Sequence, residues 1–212
     1  MRTTRAQRRA FDRDEALEVA LREFWQYGYE TTSIASLTRA MGINPPSLYA
    51  AFGDKRQLFS EVVQRYAHTH GSYGTRALAE PTARGAVETL LRLAAAEYTD
   101  PTHPPGCLVI NGATNCTPAA EDVKAELRAF REGTKHALKE KINADIDAGR
   151  LPEGADAGAL AMFYAAVIQG MSTQACDGAD REDLERVAET ALNAWPASAP
   201  HETRSTPGTA PH

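Results

Sequence analysis

The stretch that most restricts how this chain can fold is TSIASLTRAMGINPPSLYAAFGDK, residues 32–55. Ile34, Leu37 and Met41 recur at three- and four-residue spacing, so they share one helical stripe. Gly42 supplies the left-handed residue that ends a helix without a Cβ clash. Asn44 caps a new helix, and Pro45 and Pro46 fall at its first positions, where no backbone donor is needed. Leu48 and Phe52 lie four apart and face inward, which leaves Ser47, Tyr49, Ala50 and Ala51 outside. Gly53 stops that helix, and Asp54 with Gln57 forms a capping box for the next. Two short helices around a tight turn, the second with a small hydroxyl-bearing front, suit a DNA major groove.

The remaining chain reads as helix throughout, so the fold class is all-α. No sustained alternating strand pattern occurs, and apolar runs such as CLVI at 107–110 are too short to span a bilayer. The expectation is therefore a cytoplasmic protein without membrane contact. Cys107, Cys116 and Cys176 lie too far apart for a disulfide framework, which fits a reducing compartment. The net charge of −5 is unevenly spread: residues 1–56 carry nine Arg/Lys against seven Asp/Glu. A weakly basic head on an acidic body is the balance of a DNA reader with a separate sensing or assembly domain.

Taken in order, 1–11 form a flexible basic arm and 12–56 a three-helix DNA-binding domain. In its first helix, about 13–28, Leu17, Ala20 or Leu21, Phe24 and Tyr27 form the inner stripe. Thr32 and Ser33 cap the second helix, where hydroxyls and free amides can hold a phosphate. Residues 57–195 form a helical effector-binding and dimerisation domain, and 196–212 (PASAPHETRSTPGTAPH) a disordered tail. Within the second domain, 71–82 reads as a Gly- and Pro-containing joint. Helices follow at about 83–99, from Thr117 to about 148, at 156–176 and at 180–195. The helix at 156–176 is apolar around much of its circumference and needs cover on several sides. The simplest cover is the same pair of helices from a second copy.

A cavity for a small-molecule effector is expected among Phe59, Val63, Tyr66, Leu90, Leu93, Ala94, Tyr98, Cys107, Ile110, Asn111, Thr114, Phe130 and Phe163. Of these Tyr98, Asn111 and Thr114 are favoured, because a buried polar group wants a partner. An alternative is a metal- or thiol-sensing role for Cys107 or Cys116. On one helix their spacing of nine would point them to opposite sides, and His68, His70 and His103 lack the spacing of a zinc or copper site. No metal site and no cofactor is therefore expected. Nor is an enzyme: GxSxG, a P-loop and HExxH are all missing.

The run from Phe11 to Tyr66 resembles the DNA-binding domain of the tetracycline-repressor (TetR) family of bacterial regulators. The likeness rests on Gly-Tyr-x-x-Thr-Ser at 28–33, Gly42–Ile43, Ser-Leu-Tyr at 47–49, Phe52 and Lys55. GCLVINGA and the stretch from Gly170 to Trp195 are similar to a subgroup that includes copper-responsive repressors. The resemblance implies a homodimer through the last two helices, bound to double-stranded operator DNA and released by a small molecule. It implies phosphate contacts from Tyr49, Lys55 and the Thr32–Ser33 cap, with Asn44, Pro45, Pro46, Ser47 and Ala50 facing the bases. It also implies that effector binding tilts the helix beginning at Asp54.

Overall fold

A computed structural model describes residues 12–114 and 116–196. The expected arm, 1–11, and all but the first residue of the expected tail lie outside the described residues. Every described element is helical. Helices α1 (Arg13–Thr31), α2 (Ile34–Met41) and α3 (Pro45–Phe52) form the head. Helix α4 (Lys55–His68) runs from the head into a body made of α5 (Tyr73–Leu78), α6 (Ala83–Tyr98), α7 (Leu108–Asn111), α8 (Glu121–Asp147), α9 (Ala157–Cys176) and α10 (Arg181–Leu192).

The caps follow the residue chemistry. Asp12 accepts from the Asp14 and Glu15 amides, and Asn44 from the Ser47 amide at 2.9 Å. Ser33 pairs reciprocally with Ser36, and Asp54 with Gln57, in two capping boxes. Gly42, at φ +68°, ends α2 in the left-handed conformation.

Three elements differ from the expected plan. Gly28, at φ +76°, breaks the last turn of α1. The break swings Tyr27 out to 57 % exposure and turns Tyr29 inward, where its ring packs 5.0 Å from Phe59. Tyr27 is therefore not part of the inner stripe. The proposed joint at 71–82 is ordered as a 3₁₀ turn, His70–Ser72, running directly into α5. The long helix begins at Glu121 rather than Thr117, because Pro118–Ala120 form a 3₁₀ turn first.

One continuous core joins head and body. Phe24 of α1 and Phe59 of α4 are fully buried, edge to face at 5.0 Å. Burying each such ring stabilises by about 1.5–3 kcal/mol. Polar links reinforce the junction. The Tyr29 amide donates to the Gly112 carbonyl at 2.8 Å. The Thr117 amide and hydroxyl donate to the Glu30 carboxylate at 2.9 and 2.6 Å. On α4, Arg56 reaches across to α8, pairing with Asp122 and with Glu126 at 2.7 Å. Burial works against the Arg56 charge, but these carboxylates outweigh it and raise its pKa.

Gly28 tests the junction. A Cβ there would meet the Gly112 carbonyl oxygen at 3.3 Å, on a backbone at φ +76° that side chains avoid. Gly28→Ala is expected to cost roughly 1–2 kcal/mol, seen as a drop of several degrees in Tm. An unchanged Tm would mean the turn relaxes without strain.

Candidate DNA-binding surface and effector cavity

The front of α3 carries exposed Asn44, Pro45, Pro46, Tyr49 and Ala50, with Ser47 half-buried beside them. Leu48 and Phe52 are buried beneath and hold this front to the head. The Asn44 carbonyl oxygen is used by the Ser47 amide, while its amide group has no hydrogen bond among the described residues. Tyr49 is 50 % exposed. Lys55 opens α4 on the same side, its ammonium 4.3 Å from the centre of the Tyr29 ring. Burial lowers the Lys55 pKa, and the nearby Glu30 carboxylate partly offsets this.

Ser33 is exposed at the start of α2, but Thr32 is not part of this surface. It is 1 % exposed and its hydroxyl donates to the Gly28 carbonyl at 2.7 Å, so it locks the helix break instead. Its expected phosphate contact is corrected on that ground. Hydroxyl residues before a helix look alike in sequence, and only the break at Gly28 decides which one turns inward.

The body holds a cavity of about 130 Å³ between α4, α5, α6, α7, α8 and α9. Tyr66, Leu90, Cys107, Ile110 and Phe130 of the expected set line it. Eight candidates lie elsewhere, among them Leu93, half-buried on α6, and Ala94, fully buried in the core. Phe59 and Val63 are fully buried core beneath the head. Tyr98 sits behind the wall, its hydroxyl 2.7 Å from that of Tyr73. Asn111 and Thr114 border a separate surface cleft, and the Asn111 amide donates to Ser172 at 3.0 Å and to Cys176 at 3.2 Å. Phe163, 41 % exposed, faces a groove between α9 and α10.

The cavity has two chemically distinct sides. At one, the Tyr66 hydroxyl donates to the Cys107 sulfur at 3.2 Å, and the Tyr73 ring stands beside it. Burial raises the Tyr66 and Tyr73 pKa values well above the ordinary phenol range, so both stay neutral. At the other are Arg131, which donates to the Val109 carbonyl at 2.6 Å, and Lys135. Burial depresses the Arg131 pKa. Leu90, Phe130, Leu138 and Ile168 supply apolar wall between the two. Tyr73 and Arg131 were not anticipated: Tyr73 lay in the presumed joint, and Arg131 reads in sequence as a solvated charge.

Cys107 and Cys116 do not meet. Cys107 is in the cavity wall, whereas Cys116 lies near Glu30 and Lys55. Burial raises the Cys116 pKa, which disfavours its reactive thiolate.

A helix-turn-helix head joined through one continuous core to a helical body is the architecture of a DNA-binding regulator. The chain belongs to the TetR family: residues 16–62 match the family model described as bacterial regulatory proteins, tetR family, and residues 83–191 the tetracyclin repressor-like C-terminal domain. Among relatives, it is 34 % identical to the HTH-type transcriptional repressor ComR of Escherichia coli K12, over 92 % of this chain and 94 % of that protein. It is 33 % identical to the repressor BdcR of the same organism, over 83 % of this chain and 85 % of BdcR. A cysteine mutant of the TetR-family regulator CifR, solved in complex with 26-base-pair operator DNA, superposes with TM-score 0.84 at 46 % identity, covering 90 % of this chain and 100 % of that one. The chain is thus a DNA-binding transcriptional repressor by family. Among the described residues no helix is long and apolar enough to cross a membrane.

The pair of phenols behind the cavity gives a direct test. Tyr98 is fully buried, and among the described residues its hydroxyl pairs with that of Tyr73. Tyr98→Phe leaves the Tyr73 hydroxyl short of that partner, and a loss of about 1–3 kcal/mol is expected in denaturant unfolding. An unchanged midpoint would show that the bond adds nothing.

Proposed function

We propose that the chain is a homodimeric repressor that holds operator DNA until a small molecule enters the cavity between α4 and α9. The observation that carries this reading is the placement of α4. Its first residue, Lys55, stands beside the recognition helix, and Tyr66, near its other end, lines the cavity. A helix of 14 residues is about 20 Å of stiff rod. A ligand that displaces Tyr66 therefore acts on the head through a lever already in place. Two-fold operator recognition requires the two α3 helices to stand about 34–36 Å apart, or a multiple of one DNA turn. A ligand releases DNA only by preferring the arrangement with the wrong separation.

In this reading Ser33, Tyr49 and Lys55 hold phosphates, and Asn44, Pro45, Pro46, Ser47 and Ala50 face the bases. With no Arg, Lys or Gln on α3, base reading relies on thymine methyl contacts, Asn44 and DNA shape. The dimer forms through α9 and α10, where Phe163 and Val187, each 41 % exposed, line one groove and Met162 on α9 is 55 % exposed. The effector is a compact, largely apolar molecule: a cavity of 150 Å³ elsewhere accommodates benzene, and this one is about 130 Å³. Arg131 and Lys135 favour a hydrogen-bond acceptor or acid at one end. A thiol response is the second reading, and Cys107 favours it over Cys116, because its sulfur lies on the cavity wall.

The test combines sedimentation with mobility shift on DNA upstream of the chain's own gene. The wild-type chain is expected as a dimer that shifts this DNA. Phe163→Glu should give monomers and lose at least tenfold in affinity. Tyr49→Phe should stay dimeric and lose roughly tenfold per subunit, the worth of one hydrogen bond to a charged group. A monomeric wild type, or one that ignores duplexes at low salt, would contradict the reading. An oxidant dose response that survives Cys107→Ser would remove the thiol alternative.

A further inference from the structure

Three side chains that are far apart in sequence converge beside the head–body junction. His70 follows the end of α4, Glu97 lies in the last turn of α6, and His103 belongs to the loop after α6. His70 Nδ1 lies 2.8 Å, and His103 Nε2 3.1 Å, from the same oxygen, Glu97 Oε1. The His103 side chain is 2 % exposed, and its Nε2 has no properly aligned hydrogen-bond partner despite that short distance. Its other nitrogen, Nδ1, is 2.9 Å from the Pro104 carbonyl oxygen. A carbonyl only accepts, so Nδ1 carries the proton and the neutral ring presents the Nε2 lone pair to Glu97. A buried lone pair facing a carboxylate oxygen needs something positive between them.

We propose that His70, Glu97 and His103 form a binding site for a divalent transition cation of the zinc, cobalt, nickel and copper group. Two imidazole nitrogens and one carboxylate oxygen are the donors these borderline cations take. All three donor atoms lie within 4.8 Å of one another. Tetrahedral bonds of about 2.0–2.1 Å separate neighbouring ligand atoms by roughly 3.3 Å, so the two oxygen–nitrogen separations would open by only a few tenths of an ångström. The Nδ1–H bond of His103 to a backbone carbonyl is the outer contact that fixes a ligating imidazole in its tautomer. Trp25 stacks on His103 at 4.4 Å and meets His70 edge-on at 5.0 Å, which holds both rings in place. An open cleft lined by Glu23, Gln26, Thr102 and His103 gives water a route to the remaining position.

The site is separate from the effector cavity and does not depend on the proposed ligand response. Cobalt(II) chloride added alone to chelator-treated full-length protein provides the test. One cobalt per chain is expected, with visible d–d absorption of a low-coordinate site and quenching of Trp25 fluorescence in a Trp195→Phe background. His70→Asn, at a partly exposed position, and Glu97→Gln should each weaken binding at least tenfold. His68→Asn should bind as wild type, because His68 turns back to the Gln64 carbonyl. Far-ultraviolet circular dichroism confirms that each variant is folded. No cobalt uptake by the wild type, or equal affinity in folded His70→Asn and Glu97→Gln, overturns the proposal.

Discussion

The orientation of the DNA-reading head depends on how residues 28–30 and Arg56 are fastened to the end of α7, the segment after it and the start of α8. A break at Gly28 frees the Tyr29 amide from its own helix, and the Gly112 carbonyl of the body takes it up. Glu30 accepts two hydrogen bonds from Thr117 of the body. Arg56 completes the clasp from α4, partly shielded from water with Glu126 and Asp122 as partners. Fully exposed ion pairs contribute about 0–1 kcal/mol. This one shares its cation between two carboxylates and sits over a packed aromatic seam, so it fixes direction more than it adds stability.

That fastening gives the cavity its mechanical meaning. Tyr66 and Gly71 bring the end of α4 and the turn after it to the cavity, while α8 supplies Phe130 and Arg131. The same two helices hold the head through Arg56, Asp122 and Glu126. In the proposed switch, a ligand filling the space between them pushes apart the elements that set the head's angle. Packed interiors behave as a few discrete arrangements rather than a yielding medium, which favours a switch. To carry a population from 1:99 to 99:1, the effector needs about 5.5 kcal/mol of preference for the released form. A compact apolar ligand can supply part of that by burial alone.

The local chemistry of caps and stripes was legible in the sequence, and long-range convergence was not. Asn44, the two prolines, Asp54 and Gln57 place α3 and α4 because each acts within four residues of itself. Tyr27 and Thr32 were misplaced for one shared reason: a single positive-φ glycine turned one out and the other in. Tyr66, Leu90, Cys107 and Phe130 were found because inward stripes of adjacent helices converge on the body interior. Tyr73 and Arg131 escaped, one inside a glycine-rich stretch and the other one step off its stripe. His70, Glu97 and His103 carry no motif spacing, since three separate elements deliver them. Cys107 and Cys116 illustrate the limit from the other side, being individually conspicuous and spatially apart.

The most direct measurement is the distance between recognition helices in the proposed dimer without DNA, by electron spin resonance on labels at Ala50→Cys in a chain carrying Cys116→Ser and Cys176→Ser. The account predicts one narrow distribution for this background and a broad or shifted one once Arg56→Ala opens the clasp. The same narrow distribution in both would contradict the claim that these contacts set the head's direction.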